Sequence, residues 1–286
     1  MSEALARRWD LTVTDGDEVY PSWVDLSDDL FVGKVGSART IPEKTFTGKT
    51  VRWRLPKQYE NRTDDLVFEG ELVEDHIEGI TTSEGGLTIH WIGIPAPQMR
   101  SSATTEFDHP VELVRSDLAG WHLRSPEWIT NWSITENGLE NSAIGSDLVT
   151  DEKFSDFRLT AEYRYPEGSN SGIYLRGRYE FQVLDDLGQA PHVGGSGAIY
   201  GFIAPKVNAV KPAGEWNTAV ITLIGRALTV DLNGERIIDG IEIPGITGGA
   251  LDSNEGAPGP IFIQGDHGPV TYRRLSLERA RHQPAV

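Results

Sequence analysis

The chain has 286 residues, with 26 Lys and Arg against 43 Asp and Glu, giving a formal net charge of −17. That balance repels phosphate backbones, so no nucleic-acid partner is expected, and neutral ligands are favoured over strongly anionic ones. There is no cysteine, which excludes a disulfide scaffold, a thiol nucleophile and a thiolate metal site.

Hydrophobic residues make up 38% of the chain, enough to bury a core, and 31 Gly with 16 Pro suit many short strands joined by tight turns. The first ten residues carry Glu3, Arg7 and Arg8 but no apolar h-region. They do not read as a secretory signal, and a cytoplasmic location is expected. No apolar run is long enough to span a bilayer, so no membrane partner is expected. Residues 1–94 show period-two alternation in about eight short segments: 9–14, 22–26, 30–35, 37–40, 50–55, 66–72, 76–82 and 87–94. Such a meander predicts a small antiparallel β domain, closed or nearly closed into a barrel. Trp9, Trp23, Phe31, Trp53, Phe68 and Trp91 recur along it and would fill the interior or line a pocket. Hairpin spacing and Trp placement give it a loose resemblance to lipocalin-like barrels.

Residues 95–110 are rich in Pro, Ser and Thr, lack alternation, and read as a linker. A second domain is expected over 111–279. Single helical turns are expected near 117–119 and 126–128. In the next clear strand Phe157, Leu159, Ala161 and Tyr163 fall on one face and Arg158, Thr160, Glu162 and Arg164 on the other. Further strands are expected at 198–203, 218–224, 227–232, 260–263 and 270–277. Asn233-Gly234 is a strong signal for a two-residue hairpin. Long antiparallel strands with wandering connections predict two packed sheets, and the whole chain reads as all-β.

The densest polar stretch runs from Asn170 to Asp185. Alternation puts Tyr174 and Arg176 on one face. It likewise sets Glu180 with Gln182, opposite the core candidates Tyr179, Phe181 and Val183, so that Glu180 and Gln182 look onto an open groove. A stripe of Tyr, Arg, Glu, Gln and Asn supplies the donors, acceptors and aromatic face that a glycan needs. Gln264 alternates against Ile261 and Ile263 and is expected to face the same groove. Tyr200, Lys206 and Asn208 would edge it, and Trp216 and His267 are further candidates for contact with a sugar.

The succession Asp156-Phe157, Asn170-Ser171-Gly172-Ile173, Tyr179 through Asp185, Gly197-Ala198-Ile199-Tyr200, Gly214-Glu215-Trp216-Asn217, Leu232-Asn233-Gly234 and Gly259 through Gln264 resembles the 3-keto-disaccharide hydrolase family, as does the opening Asp117-Leu118-Ala119-Gly120-Trp121. The resemblance covers residues 111–279. It implies a concanavalin-like jelly roll acting on small glycosides or disaccharides already oxidised at C3. A C3 ketone acidifies the C2 hydrogen, so a base can remove it and the C1 substituent can be expelled, with water adding afterwards. This requires a base, an enolate stabiliser and an acid. Glu180 and Asp185 are the candidates for the base, Arg176 for the stabiliser, and His192 for the acid or a metal ligand. Asn170, Tyr174, Gln182, Tyr200, Lys206, Asn208, Trp216, Gln264 and His267 would bind substrate. Glu180, Asp185, His192 and His267 also offer oxygen and nitrogen ligands to a divalent ion, with no diagnostic spacing. Three alternatives stay open: a non-catalytic carbohydrate-binding module, a two-carboxylate glycoside hydrolase, and an interaction module in which the amino-terminal barrel holds the functional pocket. The two-carboxylate reading is weakened by Gln182 standing where a second carboxylate would share the face of Glu180.

Overall fold

The computed structural model describes residues 2–34, 36, 38–57, 64–99 and 106–281. Among them the secondary structure is almost entirely β, with one four-residue helix, Ser2–Leu5. No helix is long and apolar enough to cross a membrane. The chain divides into two compact units, Met1–Gln98 with Gly245–Gly256, and Met99–Pro244 with Ala257–Val286.

The first unit is a meander of nine strands: β1 (Arg8–Asp15), β2 (Glu18–Asp25), β3 (Leu30–Val32), β4 (Arg39–Thr40), β5 (Glu43–Thr47), β6 (Thr50–Leu55), β7 (Leu66–Val73), β8 (His76–Thr82) and β9 (Thr88–Pro95). They form one sheet in the order β4-β3-β2-β1-β9-β8-β7-β6-β5. Residues 35 and 37, inside two expected strands, lie outside the described residues. Sequence reading missed β5, an edge strand whose only large apolar residue is Phe46. The sheet is rolled. Phe31 on β3 and Phe68 on β7 stand five strands apart along it, roughly 24 Å if it were flat, yet their rings are 5.0 Å apart. Lys44 on the far edge strand donates to Leu26 O at 2.5 Å, next to β2. The interior is filled rather than open: Trp9, Trp23, Trp53 and Trp91 are all at most 2% exposed. Gly70 and Gly79 sit opposite one another on β7 and β8. A Cβ on either would lie 2.4 or 2.0 Å from the Trp91 ring, so both positions are bare to admit the indole.

Residues 245–256 complete this unit. Trp23 Nε1 donates to Ile246 O at 2.8 Å, and Gly249 N donates to Lys34 O at 3.0 Å. Glu255, fully buried, pairs with Arg8, which also holds Asp10 at 3.0 Å. Burial of charge is tolerable here because each ion has a partner.

The second unit contains β10 (Val111–Glu112), β11 (Trp121–Leu123), β12 (Trp132–Thr135), β13 (Gly138–Asn141), β14 (Leu148–Phe154), β15 (Phe157–Arg164), β16 (Asn170–Leu175), β17 (Tyr179–Leu184), β18 (Asn217–Ile224), β19 (Ala227–Leu232), β20 (Glu235–Glu242), β21 (Gly259–Ile263) and β22 (Val270–Arg279). Residues 100–105 of the expected linker lie outside the described residues; Phe107 forms a bridge with Ala280. One sheet has the order β12-β13-β22-β15-β18-β19-β20, with β10 beside β22, and the other is β11-β14-β21-β16-β17. These are the two packed sheets that the alternation predicted, in the jelly-roll arrangement that the resemblance implied. Phe157, Leu159, Ala161 and Tyr163 have no exposed surface, nor have Ile173, Phe181, Val183, Ile261 and Ile263. Asn233 and Gly234 both take positive φ, 53° and 89°, as the two central residues of a type I′ hairpin must.

Three expectations need correction. Residues 198–203 form isolated bridges rather than a strand, because Ile199 pairs with Phe181 and also turns back on Ile203. The expected helical turns are single hydrogen-bonded turns without helix, closed by Trp121 N→Leu118 O and Trp128 N→Ser125 O. Arg176 does not share a strand face with Tyr174: it lies past the end of β16 in the turn, at φ +54°.

Candidate active site

The site lies on the outward face of the five-stranded sheet, and cross-strand register assembles it. Tyr174 is opposite Glu180, and Gly172 opposite Gln182. On the other side of β16, Tyr174 is opposite Phe262, and Gln264 N donates to Gly172 O. Because alternation sends Ile173, Phe181 and Ile263 inward, their neighbours Gly172, Tyr174, Glu180, Gln182, Phe262 and Gln264 gather on the other face. Gly172 is the gap in the middle: a Cβ there would meet Glu180 Oε1 at 2.7 Å and Gln264 Oε1 at 2.8 Å.

A directed chain of hydrogen bonds ends on Glu180. Gln264 Nε2 donates to Tyr174 Oη at 3.5 Å, and Tyr174 Oη donates to Glu180 Oε2 at 3.0 Å. The tyrosine ring is stacked on Phe262 at 4.2 Å, with the Arg124 guanidinium over the Phe262 ring at 5.0 Å. Glu180 is only 6% exposed, so the open groove expected at this position is nearly covered. Burial disfavours its charge and pushes its pKa to about 7, outweighing the Tyr174 and Gln264 hydrogen bonds and the attraction of His267. Burial and the neighbouring Glu180 raise the Tyr174 pKa well above its ordinary value. The protein thus holds a carboxyl that exchanges its proton near neutrality beside a tyrosine that keeps its own.

His267 is half exposed and hydrogen-bonded to Asp266, which raises its pKa; Glu180 adds to the effect. The loop carrying this pair is pinned from below. Asp147 Oδ1 accepts from Gly265 N at 2.9 Å and Asp266 N at 3.3 Å, its Oδ2 faces Arg124 Nη1 at 3.3 Å, and Asn141 Nδ2 donates to Gly265 O and Gly268 O. Burial and the like charge of Asp266 raise the Asp147 pKa.

Three amide oxygens on this face, Asn170 Oδ1, Gln182 Oε1 and Gln264 Oε1, are buried with no hydrogen-bond partner among the described residues. Buried acceptors seldom stay so; water or a ligand hydroxyl is the usual complement.

The other sequence candidates fall elsewhere. Arg176 is buried with its guanidinium on Gly225 O at 2.5 Å and Tyr179 Oη at 3.3 Å, a structural tie at the end of the hairpin. Asp185 follows β17 and accepts from Gly168 N at 2.8 Å, fixing the preceding turn. His192 is exposed and accepts from Gly194 N at 3.2 Å. Its loop borders the site nonetheless, since Gln182 Nε2 donates to Gly194 O and Tyr200 N to Glu180 O. Asn208 ties Asp186 and Gln189 together. Lys206 is exposed, 4.0 Å from Asp239. Trp216 is in contact with the guanidinium groups of Arg164 and Arg273, which belong to the other sheet. Among the described residues no three or more His, Asp or Glu converge as a metal site: of the four candidate ligands Glu180 and His267 are near one another, while Asp185 and His192 are engaged elsewhere. Sequence reasoning overlooked Asp147, Arg124 and Phe262. Asp266 carried a signal, its adjacency to His267; Asp147 and Arg124 carried none.

Residues 110–278, more than half of the chain, match the family described as the 3-keto-alpha-glucoside-1,2-lyase-like domain. The chain belongs to this family. Like the chain, a 3-keto-disaccharide hydrolase of Bacteroides thetaiotaomicron carries this sequence pattern, at 26% identity over 128 residues, covering 36% of this chain and 44% of that protein. The match therefore spans less than half the length of that relative. Among solved structures, a candidate glycosyl hydrolase from Parabacteroides distasonis superposes with a TM-score of 0.50 at 24% identity, over 64% of this chain and 94% of that one. A second from the same organism gives 0.47 at 16%, over 61% and 94%.

Proposed function

We propose that the second unit cleaves 3-keto-glycosides by removing the C2 proton and eliminating the C1 substituent, with water then adding across the double bond. The observation that carries this is Glu180: one enclosed carboxyl with a pKa of about 7, bonded to Tyr174 and near His267, on a face that holds three amide oxygens without partners. A base working at neutral pH needs that pKa.

In this reading Glu180 takes the C2 proton. The C–H electrons form the C1=C2 bond as the C1–O bond breaks, and the C3 ketone conjugates with the new double bond. His267, protonated through its bond with Asp266, gives a proton to the departing oxygen. Glu180, now neutral, exchanges its proton with solvent and protonates C2 as water adds to C1 and gives its second proton back to His267, so that a 3-keto sugar and the free alcohol leave. The side-chain N–H groups of Gln182 and Gln264 take over the enolate stabilisation expected of Arg176. Their oxygens and Asn170 Oδ1 would accept sugar hydroxyls.

The test is incubation with 3-keto-trehalose and with unoxidised trehalose in deuterated water. The keto sugar should be cleaved with deuterium at C2, the parent sugar left intact, and Glu180→Gln should lower the rate by about 10²–10⁴. The rate should rise with pH through about 7 as Glu180 loses its proton. Cleavage of plain trehalose without deuterium uptake would overturn this in favour of direct hydrolysis, and sugar binding without turnover in favour of a binding module.

A further inference from the structure

The second unit has a cleft of about 420 Å³ lined by none of the residues gathered around Glu180. Its floor is a row across three strands. Thr271 on β22 is the direct partner of Glu140 on β13 and of Arg164 on β15. Directly opposed residues of antiparallel strands present their side chains to the same face, so an acid and a guanidinium flank a threonine, two strand spacings or roughly 10 Å apart. Among the described residues no ion pair joins the two, Glu140 being turned to Thr135 and Arg164 to Trp216. Among the described residues no carboxylate pairs with Arg164; its guanidinium is held over the Trp216 ring at 4.7 Å. Arg273 also lies over that indole but pairs with Glu162. Glu140 uses one oxygen, accepting from Thr135 Oγ1 at 3.3 Å. Tyr165, Pro166 and Pro269 contribute the apolar wall.

The charges select the ligand class. Glu140 repels a carboxylate or phosphate, as does the net charge of −17, and Arg164 repels a cation. A neutral polyhydroxylated ring satisfies both, since each of its hydroxyls donates to one side and accepts from the other. A cleft of about 420 Å³ has room for one such ring. We propose that this cleft is a second sugar-binding subsite that takes a neutral pyranose between Glu140 and Arg164, over Thr271.

Titration of the full chain with trehalose, read by calorimetry, tests the proposal. Saturable binding in the millimolar range is expected, kept within about twofold in Glu180→Gln and weakened about tenfold or more by Arg164→Ala and by Glu140→Ala. Arg164→Ala breaks no ion pair, and an unchanged melting temperature will confirm that it folds; otherwise Glu140→Ala carries the test alone. No saturable binding, binding indifferent to both substitutions, or stronger binding of sulfate than of trehalose would overturn it. Because the probe is unoxidised and the Glu180→Gln protein is included, failure here leaves the cleavage reading standing, and failure of that reading leaves this one standing.

Discussion

Two glutamates in the second unit show how differently its two sheets meet their surroundings. On the eight-stranded sheet, Glu278 is gripped by Arg158 through two hydrogen bonds of 2.7 Å, and this pairing holds its pKa below the usual range. On the five-stranded sheet, Glu180 is buried beside a tyrosine, and its pKa rises to about 7. The outward face of the larger sheet also pairs Arg273 with Glu162. It carries its charges in the ordinary way of a wet surface, where a pair contributes little and costs little. The smaller sheet holds charged and amide groups under cover and leaves several unsatisfied. That arrangement is expensive for folding, and sites that do chemistry are where such expense concentrates.

The largest effect that would sharpen this contrast lies on the inner side of β17. Phe181 is fully buried one residue from Glu180. Phe181→Ala should destabilise the protein by about 3–5 kcal/mol in urea unfolding, the range for truncating a buried Phe. A cost below about 1 kcal/mol would mean that the register putting Glu180 outward is wrong.

Next comes the sign of the pH effect. The folded pKa of Glu180 lies above its unfolded value, so its contribution to stability is complete below about 4.5 and lost as pH rises through about 7. Glu180→Gln should therefore be more stable than the natural protein at pH 8, by roughly 2–3 kcal/mol, and lose that advantage near pH 5. Paired urea titrations at the two pH values would show it; an advantage independent of pH would contradict the assigned shift. Glu278 runs the other way: its contribution is present at neutral pH and lost on acidification. The smallest effect follows from that pair. Arg158→Ala, half exposed, should cost no more than about 1 kcal/mol at neutral pH; a loss several times larger would erase the distinction between the two sheets.

How much of this could be read from the sequence depends on whether a feature is periodic. The opposed faces of Phe181 and Glu180 follow from alternation alone, as does the inward set from Phe157 to Tyr163. Asn233-Gly234 announced its turn because few other dipeptides tolerate two positive φ values. Alternation misplaced Arg176, since it assumes that the strand continues where the chain has already turned. It did not reveal how deeply Glu180 is covered, because the cover comes from segments distant in sequence, the 192–200 loop and the Asp266-His267 loop. Asp147 and Arg124 act through contacts more than a hundred residues or a strand away and leave no local trace. The choice between Glu180 and Asp185, open in the sequence, turns on partners: one is enclosed by tyrosine and amides, the other binds a backbone N–H of a turn.

The segment Gly245–Gly256 has a consequence for the order of events on the ribosome. The first unit's last strand ends at Pro95, but its Trp23 and Arg8 await Ile246 and Glu255. Those residues emerge roughly 150 positions later, after nearly all of the jelly roll has been translated. Domains usually fold in the order of synthesis, the amino-terminal one first. Here the nascent sheet holds Arg8 with Asp10, and the arginine's second carboxylate, with the segment that covers Trp23, arrives only when its sister unit is almost complete.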